Sequence, residues 1–150
     1  MTLPQTHPAM VGSSETPPRP RPPKPVHRIR DDREAIETAH ALAETVKAGA
    51  SERDRERRLP WEEIEAYTAS GLGAITIPRS HGGTGASFET LTKVFEILCA
   101  VDPAFGQIPQ NHFGVLALVD DIGNEAQKTR IYSDVLAGYR IGNAGPANII

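Results

Sequence analysis

From residue 31 to residue 138 apolar side chains return every three or four positions, and glycine, proline or a short polar residue closes most of these runs. That spacing places a stripe on one side of a 3.6-residue helix, whereas a half-buried strand alternates. A chain punctuated this way is constrained to stack amphipathic helices. Ala35, Ile36, Ala39, Leu42, Ala43 and Val46 make the first stripe, starting at Asp31. A second helix opens at Pro60, suited to the first helical position, with Glu62 and Glu63 at the positive end of its dipole, and stops near Gly71. A third is capped by Ser87. Its two stripes, Leu91, Phe95 and Leu98 beside Val94, Ile97 and Val101, imply burial on both sides. Asp102-Pro103 caps and opens a fourth, and Asn124 with Gln127 makes a capping-box pair for a fifth that ends at Gly138. The expected class is all-α.

The intervening pieces are read from their own chemistry. "GAITIP" (73–78) is short, β-branched and ended by proline, so an extended segment is expected. "SHGGTGAS" (80–87) is a turn. Its glycines invite comparison with a phosphate-cradling loop, but neither Gly-x-Gly-x-x-Gly nor Gly-Lys-Ser/Thr is present, and a structural turn is favoured. The helix start beyond it could still draw an anion through its free amides. "SERDRERR" (51–58) interleaves three acidic residues with four arginines and reads as a solvated face. "YRIGNAGPANII" begins as a strand near residue 139 and then stops.

Eight of the thirteen prolines fall in residues 1–27, where "PPRPRPPKP" cannot form helix or central strand; a disordered tail of polyproline II character is expected. The 150 residues give room for one domain burying roughly two-thirds of its unfolded surface. A net charge of −3 supplies no basic face for nucleic acid or an anionic membrane. No apolar run reaches the roughly 20 residues of a membrane span, and no signal peptide opens the chain. The single cysteine, Cys99, lies in an apolar helical run and reads as an inert core residue. Without a partner for an intramolecular disulfide, the chain suits a reducing cytoplasm.

One stretch breaks the pattern. "GQIPQNHFG" (106–114) sets two glutamines, an asparagine, a histidine and a proline inside an apolar helix. Pro109 removes a backbone donor and favours a kink. Phe105, Ile108, His112, Leu116 and Val119 share one face, with Gln107, Asn111 and Leu118 on an adjacent strip. His112 therefore points to a core or a pocket, and the residues alone favour a satisfied core histidine. No Glu-x-x-His or His-x-x-x-His pair accompanies it, so no metal site is expected.

The segment from "ERDRERRLPWEEIEAY" through "SHGGTGASFET", "AVDPAFGQIPQNHFG" and "GNEAQK" to "VLAGYRIGNA", roughly residues 30–144, resembles the N-terminal helical domain of the acyl-CoA dehydrogenase superfamily. Within it the sulfur-acquisition branch, typified by dibenzothiophene monooxygenase, is most similar. The resemblance implies a helical domain over 28–138 followed, from 139, by the start of a middle β-domain, with the rest of that domain and a C-terminal bundle missing: a fragment. It implies a flavin cofactor, FMN or FAD, a small-molecule substrate, a flavin reductase or electron-transfer partner, and a homotetramer. By position His112 matches a histidine at the flavin–oxygen site, and Asn143 matches a catalytic, flavin-contacting asparagine. Asn111 and Phe113 then belong to the substrate pocket. The expected activity is oxygenation of an organosulfur compound. The alternatives are an acyl-CoA dehydrogenase, whose glutamate base would lie in the missing bundle, and a non-catalytic helical interaction module.

Overall fold

The computed structural model describes residues 25–142 of the chain. Seven helices account for most of it: α1 (Asp32–Lys47), α2 (Ala50–Glu56), α3 (Trp61–Ser70), α4 (Phe88–Val101), α5 (Pro103–Gln107), α6 (Gln110–Ile122) and α7 (Glu125–Leu136). Two 3-10 turns, Leu72–Ala74 and Arg79–His81, lie between α3 and α4. All regular structure among the described residues is helical. The proline-rich leader through residue 24, and Asn143 with everything beyond it, lie outside the described residues.

Local chemistry sets the helix starts. The Asp31, Ser87 and Asp102 side chains accept from the Glu34, Thr90 and Phe105 amides, and Asn124 exchanges both bonds of a capping box with Gln127. Gly71 ends α3 at φ 80°, and a methyl there would lie 2.2 Å from the His27 carbonyl oxygen, so only glycine fits that closure. The stripe of α1 packs chiefly on α4, whose Leu91, Val94, Ile97 and Leu98 are all buried. Burying such a side chain stabilises by about 1.5–3 kcal/mol each. Ahead of α1 the chain is extended and anchored: the His27 amide donates to Ala69, Ile29 is buried, and Thr84 Oγ1 donates to the Ile29 carbonyl at 2.7 Å.

Several expectations are corrected. Residues 73–77 are not extended: the first 3-10 turn runs into a further turn, with Ile75 bonded back to Leu72 and Ile77 to Ala74, and extended backbone is found at Pro78. Burial of both isoleucines outweighs their β preference. The solvated face of 51–58 fails at Arg53, which is 4 % exposed and pairs with Glu63 (2.5 Å), Asp102 (2.9 Å) and the Val46 carbonyl. The kink expected at Pro109 is present, dividing α5 from α6 while Ile108 and Pro109 both keep right-handed helical backbone, but Ile108 is 46 % exposed instead of on the core face. Cys99 is half-buried, not core. Residues 139–142 form no strand; the Ile141 amide is bonded to a side chain instead.

Candidate functional site

The Gly-Gly-Thr-Gly turn is structural. Its amides are spent on the chain itself: Gly82 donates to Arg79, Gly83 to Pro78, Gly85 to Ile77 and Ala86 to Ile75. The start of α4 already holds an anion, the Asp32 carboxylate. Thr90 Oγ1 donates to it at 2.6 Å, and Ser87 does so through both its hydroxyl and its amide. The Thr90 bond leads in holding that carboxyl below its usual range. No phosphate is called for here.

Helix α6 has two working faces. One looks into a groove of about 790 Å³, a volume typical of small-molecule sites. Gly106, Gln107, Gln110, Phe113, Gly114 and Ala117 line it from α5 and α6. Across from them α4 presents Phe88, Leu91 and Phe95, and Tyr132 of α7 lines it too. Phe95 and Phe113 meet edge to face at 5.8 Å, and Phe88 stands 81 % exposed. Gly106 lies so close to α4 that a methyl on it would come within 2.4 Å of Cys99 Sγ. Gly114 is the opposite case. An added methyl there meets nothing within 4 Å, so this glycine leaves the groove open.

Charge on the groove wall is sparse. Asp120 is its ionisable carboxylate, and it accepts from the Tyr132 hydroxyl at 3.1 Å. Burial first, then that bond, pushes the Tyr132 phenol up to about 12. Among the described residues no lysine or arginine lines the groove. A flavin phosphate would find no cation here and one carboxylate, so the described residues do not fit that part of a flavin. They fit a flat apolar body with a polar edge, the edge met by the Gln107 and Gln110 amides.

His112 faces the other way. It is 5 % exposed, its Nε2 lies 2.7 Å from the Gly73 carbonyl oxygen, and the Ile141 amide donates to its Nδ1 at 3.1 Å. An acceptor Nδ1 makes Nε2 the protonated nitrogen, which donates to Gly73, so the ring is the neutral Nε2–H tautomer. Burial dominates in pulling its pKa below the ordinary 6.5, opposed by the Gly73 bond. His112 thus ties α6 to the turn after α3 and to the segment that leads to Asn143.

Of the residues singled out from the sequence, Phe113 stands in the groove wall, while Asn111 is exposed and does not line it. His112 is separated from the groove by its own helix, and Asn143 lies outside the described residues. Phe88, Gln110, Gly114 and Tyr132 were missed. For Phe88 a signal existed: a large aromatic directly after a helix cap, three residues before Leu91 and seven before Phe95 and so on their stripe. The others are joined only by the packing of α4, α6 and α7.

Comparison with known proteins is decisive for the family. Residues 30–139 match the acyl-CoA dehydrogenase, N-terminal domain family. This chain belongs to that family. Within it the chain is 32 % identical over 124 residues to a dibenzothiophene monooxygenase of Rhodococcus erythropolis, covering 81 % of this chain and 30 % of that protein. It is 33 % identical over 108 residues to the 3-sulfinopropanoyl-CoA desulfinase of Paraburkholderia xenovorans, covering 71 % of this chain and 28 % of that protein. The FMN-bound structure of dibenzothiophene monooxygenase from Paenibacillus sp. A11-2 superposes with a TM-score of 0.62 at 31 % identity, over 68 % of this chain and 26 % of that one. The same enzyme has been solved with FMN and indole together. The chain spans less than a third of the length of these relatives.

Proposed function

We propose that the chain is the N-terminal portion of a flavin-dependent monooxygenase acting on an aromatic organosulfur compound, and that it supplies the substrate wall of the site. The observation that carries this reading is the aromatic-sided, cation-free groove in a chain 32 % identical to dibenzothiophene monooxygenase. A reduced flavin, held by parts of the protein other than these helices, would supply the chemistry that activates dioxygen. Within this domain, Phe88, Phe95 and Phe113 take the rings of the substrate and exclude water, which strengthens every polar contact inside. Gln107 and Gln110 offer amide donors where an oxidised sulfur would carry oxygen. In this reading Asn143 serves the oxygen-reacting side, and His112, engaged at both ring nitrogens, fixes the turn after α3 and the Ile141 segment. A flavin reductase, a tetrameric assembly and a cytoplasmic setting belong to this reading.

The second reading, an acyl-CoA dehydrogenase, is favoured by 33 % identity over 102 residues to a probable acyl-CoA dehydrogenase of Mycobacterium leprae. A domain exchange separates the two. Residues 30–142 replace the matching segment of the Rhodococcus dibenzothiophene monooxygenase, and in parallel that of the Mycobacterium dehydrogenase. With reduced FMN and dioxygen, the first chimera should oxygenate dibenzothiophene at no less than about a tenth of the parent rate, while the second, though folded, should not oxidise its thioester. The reverse pattern overturns the proposal.

A further inference from the structure

A second, smaller space lies on the His112 side of α6. It measures about 20 Å³ and is lined by Tyr67, Gly73, His112 and Arg140 among others. Tyr67 is 3 % exposed, and among the described residues its hydroxyl has no hydrogen-bond partner. Burial pushes this phenol well above its ordinary 10, so it stays protonated and is a donor. Gly73 marks where the polar groups converge. A methyl on its α-carbon would lie 3.5 Å from His112 Nε2 and 3.9 Å from the Tyr67 hydroxyl, in ordinary contact with both.

A buried polar group without a partner is rare in a folded chain, and ordered water is the usual remedy. One water needs roughly 10–15 Å³ and two to four polar partners. The space holds one and nothing larger. We infer that a single ordered water occupies it, accepting from the Tyr67 hydroxyl and donating to the Gly73 carbonyl, whose other lone pair takes the His112 Nε2–H. Tyr67 is thereby a positioning residue for His112: through the water it fixes the carbonyl that fixes the ring. The site stands whichever reaction the chain serves.

The sign of a thermal shift tests this. Tyr67→Phe removes an orphan if the space is dry, and the melting temperature rises. With the water present it removes a partner, and the melting temperature falls by roughly 2–6 °C. Water-to-protein cross-relaxation in NMR should reach the Tyr67 ring and Gly73 amide protons of the wild-type chain. It should vanish in Gly73→Ala, whose methyl takes the space while the backbone accepts it. The His112 ring nitrogen resonances should move in Tyr67→Phe. A rise in melting temperature, or a wild-type chain without that cross-relaxation, overturns the inference, and the second observation holds even if Tyr67→Phe fails to fold.

Discussion

Replacing Arg53 by methionine should be among the most damaging single changes this domain can suffer. The guanidinium is 4 % exposed, and its two partner carboxylates are nearly as hidden, Glu63 at 13 % and Asp102 at 11 %. Methionine fills much of the volume but leaves both carboxylates without a cation in a low dielectric. It also frees the Val46 carbonyl, which accepts from Arg53 at 2.6 Å. Breaking a buried pair by removing one member costs about 3–5 kcal/mol. Against a whole-domain stability of roughly 5–15 kcal/mol, that is about a fifth or more. Asp102 compounds the loss, because its other oxygen caps α5 through the Phe105 amide at 3.0 Å. The expected drop in melting temperature is about 10–20 °C, read by circular dichroism at 222 nm and by urea titration. The triple variant Arg53→Met, Glu63→Gln, Asp102→Asn should recover more than half of it. No charge is then buried, and asparagine remains a good helix cap. A single-variant loss under about 1 kcal/mol, the scale of an exposed ion pair, would show Arg53 to be solvated. A triple variant as unstable as the single one would show that charge burial is not the cause.

Three further outcomes follow from the site. Gly71→Ala forces a side chain into the left-handed region and onto the His27 carbonyl oxygen, and should cost at least about 1–2 kcal/mol by urea melt. Because burial lowers the pKa of His112 in the folded chain, the unfolded chain takes up that proton first. Stability from this group is therefore complete above pH 6.5 and declines as the pH falls below it, a slope that His112→Gln should lack in urea melts across that range. Gly114→Ala should stabilise α6 by about 0.5–1 kcal/mol, since the methyl meets nothing, whereas Gly114→Leu should fill the groove and weaken indole binding at least tenfold by NMR titration.

How legible these features were depended on how far apart their partners sit. The caps at Asp31, Ser87, Asp102 and Asn124 act within three residues, and the helices they open were readable from the chain. Arg53 was not, because its partners lie 10 and 49 residues away and local charge alternation points to solvent. The polar stretch at 106–114 was readable as an interruption. Its face was readable in part: Phe105, His112, Leu116 and Val119 are all buried, and Ile108 alone of that stripe is exposed. That Gln110, Phe113 and Gly114 turn to the groove while His112 turns to Gly73 and Ile141 depends on elements distant in sequence. Tyr67 and Arg140 join His112 only through the fold, and nothing in their neighbouring residues announces it.

The central claim, that these helices hold the organic substrate and not the flavin, is tested most directly by titrating the methyl-labelled 150-residue chain with indole and, separately, with FMN. Leu91, Leu116 and Ile77, which line the groove, are the reporters. Indole should shift their methyl signals saturably, while FMN should leave them in place and keep its own fluorescence unchanged. Saturable FMN binding tighter than about 10 µM, near 7 kcal/mol, with no response to indole, would contradict the claim.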